Sequence, residues 1–124
     1  VYSLDISGLR DDGAVVYING HEVFRSNMPS GPIDCSTFAA NGVGGSSETT
    51  FYTKVNVGGD VLVPGANIMA VEIHQATLTS SDLSFNAVVT AHILGSDKVI
   101  LSPLEAEWSY SDDGTAHDYA GWEA

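Results

Sequence analysis

The sequence predicts an all-β fold, an antiparallel β-sandwich of the jelly-roll kind. Composition is the first reason: 13 Val and 7 Ile make 20 residues against 8 Leu, with 13 Gly, a balance that favours strands and turns over helices. The second is periodicity, because apolar and polar residues alternate in short runs, as they do in strands with one buried face. The third is punctuation: turn signals separate these runs at short intervals, and no run reads as a convincing helix. The chain of 124 residues fits one domain, and its 44% hydrophobic content is enough for a core.

Residues 2–6 (Tyr2, Ser3, Leu4, Asp5, Ile6) alternate and predict a first strand, which Asp11-Asp12-Gly13 follows as a turn signal. Residues 14–18 and 21–25 read as a hairpin, because Asn19-Gly20 between them supplies the two positive-φ positions of a tight turn. Residues 26–50 hold Pro29, Gly31, Pro32, Gly42, Gly44 and Gly45 and lose all periodicity, so they read as a long surface excursion. Residues 51–57 alternate again, with Phe51, Thr53, Val55 and Val57 expected on one face. Pro64-Gly65 suits a type II turn ahead of a strand over 68–74, in which Met69, Val71 and Ile73 oppose Glu72 and His74. A long strand from Ser84 to about Ile93 follows, its core face Phe85, Ala87, Val89 and Ala91. Residues 1–94 therefore read as the sandwich body and 95–124 as a C-terminal segment, with Lys98-Val99-Ile100-Leu101 and Glu107-Trp108-Ser109-Tyr110 as short strand candidates.

Four basic and sixteen acidic residues leave a net charge of −12. Such a surface repels phosphate backbones and anionic lipid, so no nucleic-acid partner is expected. No apolar run is long enough to insert in a membrane. Cys35 is the single cysteine, so no internal disulfide forms, and it reads as a small buried hydrophobe, with an intermolecular bridge as the alternative. The chain opens at Val1 without an initiator Met or a signal peptide, which reads as a mature product, an excised unit or part of a chain.

Residues 10–29, from Arg10-Asp11-Asp12-Gly13 to Met28-Pro29, resemble a module repeated in large secreted bacterial proteins. So do Leu62-Val63-Pro64-Gly65-Ala66-Asn67, Ala70-Val71-Glu72-Ile73-His74-Gln75 and Ser80-Ser81-Asp82-Leu83-Ser84-Phe85, in matching order and spacing over residues 9–91. The module is similar to galactose-binding-domain-like jelly rolls. That resemblance implies a non-catalytic accessory role at an extracellular or cell-surface location, and it fixes no ligand. Members of that family open with a Trp-bearing segment and an Asp-Asp-Gly turn ahead of the strand that Val1 begins. Here such a segment, Glu107-Trp108-Ser109-Tyr110-Ser111-Asp112-Asp113-Gly114, stands at the end, as though the chain were one step out of phase with a repeat. A sandwich without its first strand has an open edge, and an open edge takes a strand. The displaced segment either folds back on its own body or completes a neighbour, and the second case gives a head-to-tail filament or array of copies.

Trp108, Tyr110, Tyr119 and Trp122 are the expected assembly residues, since such aromatics do not belong in a disordered tail. Asp11 and Asp12 are candidate ligands for calcium, the one cofactor considered, with oxygens from Asn19 and Asp82 if the loops meet; the plainer reading is a solvated turn. Glu72 and His74 share a strand face and read either as a metal or acid–base pair or as a hydrogen-bond network beneath the long loop, joined by Gln75, Ser80, Ser81 and Asp82. Tyr17, Phe24, Tyr52, Tyr119 and Trp122 are available as sugar platforms or as ordinary packing. No nucleophile elbow, phosphate loop or metal-protease spacing occurs, so catalysis is not expected. The expectation is thus a structural assembly module whose partners are its own copies, with a polysaccharide-binding accessory module as the alternative.

Overall fold

A computed structural model describes residues 1–95, 97–103 and 106–107. Seven strands form two antiparallel sheets: β1 (Ser3–Asp11), β2 (Gly13–Ile18), β3 (His21–Ser26), β4 (Tyr52–Gly58), β5 (Met69–His74), β6 (Ser84–His92) and β7 (Lys98–Ser102). One sheet has the order β4-β1-β6-β7 and the other β3-β2-β5. The described residues include two short 3₁₀ turns, Gly45–Thr49 and Gly59–Val61, and no α-helix. The architecture is an all-β sandwich, as the sequence predicts.

The core follows from alternation. Leu4 and Ile6 of β1 face inward beside Val89 and Ala91 of β6, and meet Val16 and Ile18 of β2 and Val23 and Phe24 of β3. Each fully buried aliphatic side chain here contributes about 1.5–3 kcal/mol. The β2–β3 turn has Asn19 at φ 48° and Gly20 at φ 85°, the two positive values that Asn-Gly supplies at little strain. Val15, on the other face of β2, is also fully buried, between Arg25 and Glu72 on the neighbouring strands.

Three expectations need correction. β1 runs on to Asp11, and β2 begins at Gly13, so Asp11-Asp12 is a buried passage between the two sheets and no solvated turn. In β4 the register slips: Leu4 pairs with Val57 but Ile6 with Lys54, which inserts an extra residue. Asn56, at φ 56°, absorbs the bulge, and its N–H donates to Asp5 Oδ1 at 3.1 Å. Alternation therefore fails, Tyr52 and Val57 both turn toward the core, and Phe51 and Val55 stay exposed. Cys35 is exposed and not buried, because it lies on the loop beyond β3.

The two sheets are unequal. Arg10 of β1 reaches Ser26 of β3 and stacks on Tyr52 of β4, and Glu22, Val23, Phe24 and Arg25 of β3 share a cleft with Thr53 and Lys54 of β4. With β3 set against β4 and β1, strand order places β2 and β5 across from β1 and β6. β7 then has no described strand opposite it, and its Val99, Ile100 and Leu101 are 42%, 62% and 48% exposed. Likewise, the outer edge of β5 has no described strand partner.

Candidate functional site

Asp11, Asp12, Asp82, Glu72 and His74 gather at one end of the sandwich, where β1 passes into β2 and β5 ends. Asp12, 1% exposed, ties three segments there. Its Oδ1 accepts the Val43 N–H at 2.6 Å, and its Oδ2 accepts the Ala76 N–H at 2.7 Å and the Ser80 hydroxyl at 2.9 Å. Asn27 Nδ2 donates to the Asp12 carbonyl (3.0 Å) and to the Asn41 carbonyl (2.7 Å), closing the long loop back on the body. Burial alone would raise the Asp12 pKa, but these donors outweigh it and hold the carboxyl below its usual value.

Asp11 behaves oppositely. It is 3% exposed, and its pKa is pushed up to about 6, first by burial and then by its hydrogen bond with Asp12 and the charges of Asp12, Asp82 and Glu48. Oxygens of Asp11, Glu48 and Asp82 lie within 4.8 Å of one another, a spacing that suits an oxygen-coordinated divalent cation. Asp82 thus meets Asp11, as the sequence suggests, and Glu48 joins it from the 3₁₀ turn in the long loop. Glu48 escapes a reading of the sequence because nothing in that aperiodic stretch marks which face it takes.

Asn19 is not part of this cluster. It sits at the opposite end of β2, where its Nδ2 donates to the Val61 carbonyl (2.8 Å) and Asn67 Oδ1 (2.7 Å), and its Oδ1 accepts the Ile68 N–H (3.0 Å). Tyr17 is half-buried on β2 between Glu22 and Ala70. Phe24 belongs to the core and Tyr52 packs on it, which leaves neither as a flat exposed platform.

Glu72 and His74 do form a pair: His74 Nε2 lies 3.1 Å from Glu72 Oε2, while its Nδ1 lies 2.7 Å from the Thr37 carbonyl. Gln75 extends the network, donating from Nε2 to the Ser80 and Asp82 carbonyls and accepting the Ala39 N–H at its own carbonyl. The imidazole thereby pins the long loop to the end of β5. Beside it opens a hollow of about 530 Å³, lined by Cys35, Phe38, Ile73, His74, Leu78 and Leu83 among others. Phe38, Leu78 and Leu83 expose 46%, 88% and 54% of their surface, a concentration of apolar groups next to the outer edge of β5, which has no strand partner among the described residues.

Trp108, Tyr110, Tyr119 and Trp122 lie outside the described residues. Comparison of the chain with family models, with curated proteins and with solved structures finds no match.

Proposed function

We propose that this chain is a non-catalytic, extracellular structural module whose copies join head to tail by strand complementation. The observation that supports it is the mismatch, among the described residues, of four strands against three, with apolar β7 exposed and the outer edge of β5 without a strand partner. On this reading residues 108–124 of one copy supply an eighth strand to the next. Addition at β5 would give two four-stranded sheets. A contact between unlike surfaces that does not close on itself propagates, giving a filament or surface array.

Sedimentation of the full chain and of a chain ending at Glu107 tests this. The full chain is expected to form a concentration-dependent series of oligomers, the truncated chain a less stable monomer, and a peptide of residues 108–124 to restore stability in trans. Because each copy carries −12, assembly should tighten as salt screens repulsion over a Debye length of about 10 Å at 0.1 M. A full chain that stays monomeric at every concentration and salt level, and is unaffected by truncation, refutes the proposal.

The Asp11–Glu48–Asp82 cluster favours a second reading, a calcium-dependent carbohydrate-binding module. A glycan array run with calcium and with a chelator tests it, and silence on all polysaccharides removes it.

A further inference from the structure

We infer that Trp108 is the anchor of the incoming strand and seats in the hollow at the end of β5, between Phe38, Ile73, Leu78 and Leu83. This rests on the strand-complementation reading and specifies its register. Both sheets are wholly antiparallel, and an added strand that keeps this pattern runs antiparallel to β5. Its first residues then lie beside the last residues of β5, Ile73 and His74, which line the hollow.

The incoming sequence fits that placement. In Glu107-Trp108-Ser109-Tyr110 the two aromatics are two apart, the spacing that would put both on one face of an added strand. Set Trp108 across from Ile73, and Tyr110 falls across from Val71, which packs on the core. Ser109 then faces outward beside the exposed Glu72. The indole would lie against Phe38, Ile73, Leu78 and Leu83 in the hollow, and the phenol ring would lie toward β7, where Val99 and Leu101 are exposed. The opposite register, one residue off, would turn both aromatics to solvent and place Ser109 and Glu107 over apolar groups. Seventeen residues follow Glu107, more than a strand across β5 needs.

Cys35 lines the hollow and is the only cysteine, which makes the seat directly testable. The Trp108→Cys variant of the full chain, exposed to oxidised glutathione and mapped by peptide mass spectrometry, should give a disulfide between Cys35 and the thiol introduced at position 108. Trp122→Cys, treated alike, should give far less linkage to Cys35. A ladder of linked chains on a non-reducing gel supports both the seat and head-to-tail assembly. A linked monomer supports the seat and overturns the head-to-tail reading in favour of folding back. Absence of linkage between positions 35 and 108 even when the chain concentration is raised about 30-fold to offset the lost indole, or equal linkage from position 122, overturns the seat. In a separate measurement that needs no disulfide, Trp108→Ala should weaken assembly by about 30-fold or more, as loss of a buried aromatic anchor does. Trp122→Ala should weaken it less, and the reverse order also overturns the seat.

Discussion

Strand β2 is held at its two ends by side chains of nearly equal size and unlike physics. At one end Asn19 clamps the turn after Val61 with neutral amide hydrogen bonds. At the other, Asp12 gathers three segments with a buried charge, beside Asp11, whose carboxyl is held protonated to higher pH by burial and by the charges of Asp12, Asp82 and Glu48. The neutral clamp works alike at any ordinary pH. The aspartate knot is stronger but carries a repulsion that changes with proton and cation uptake. One strand thus has a permanent end and a conditional end, and the conditional one adjoins the end of β5.

The largest effect should come from Asp12→Ala. Removing the carboxylate leaves the Val43 and Ala76 amides and the Ser80 hydroxyl without their acceptor in a closed site. Breaking a buried charged network of this kind costs on the order of 3–5 kcal/mol. Urea unfolding should show a much lower midpoint, and a loss under ~1 kcal/mol would mean that the knot is not what fastens the loops. Gly13→Ala should follow: a Cβ there would lie 2.5 Å from Met28 Sδ and 2.9 Å from Ala39 Cβ and the Asn27 carbonyl, all on the loop that the knot holds. Overpacking of that sort costs about 1–3 kcal/mol.

Asp11→Asn separates the two ends further by changing sign. The folded Asp11 pKa, near 6, is above its ordinary value of 3.8, so the stability tied to its protonated form is full below about pH 4 and is lost as pH rises through 6. Asp12 is shifted the other way; its contribution is present above about pH 4 and fades as pH falls through its lowered pKa. An asparagine at 11 keeps a donor toward Asp12 without the charge. It should match the wild type near pH 4 and exceed it by about 2 kcal/mol above pH 6, measured as urea midpoints across that range. If calcium occupies the Asp11–Glu48–Asp82 cluster, it should stabilise the wild type at pH 7 and leave the asparagine variant nearly unmoved.

How far the sequence discloses these ends depends on how local their causes are. The strand β6 is legible because Ala87, Val89 and Ala91 keep an unbroken period of two beneath one opposing sheet. The hairpin turn is legible because Asn19-Gly20 needs nothing outside itself to adopt positive φ. In β4 the period fails at Asn56, whose bulge is favoured by Asp5, fifty-one residues away in sequence. Asp11-Asp12-Gly13 has the composition of a surface turn, yet its surroundings come from the loops bearing Val43, Glu48, Ala76 and Ser80. Those long-range partners bury it, and no local pattern announces them. Glu72 and His74 are legible as a pair, while the Thr37 carbonyl that fixes the ring is not, since it arrives from an aperiodic loop.

The smallest predicted effect isolates the neutral clamp. Asn19→Gly keeps the positive φ of the turn and removes only the side-chain hydrogen bonds to Val61, Asn67 and Ile68. Part of this end lies open, and Asn67 retains its own bonds to the Val63 and Gly65 carbonyls, so water replaces some of what is lost. The expected loss is about 1 kcal/mol, from a few hydrogen bonds each worth about 0.5–1.5 kcal/mol net. Nothing that titrates between pH 4 and 8 takes part in those bonds, so the loss should stay constant across about that range while the Asp11→Asn difference grows. A loss from Asn19→Gly that tracks pH as the Asp11 variant does would show that the two ends of β2 are energetically coupled through the strand, and that the division into a permanent and a conditional end is false.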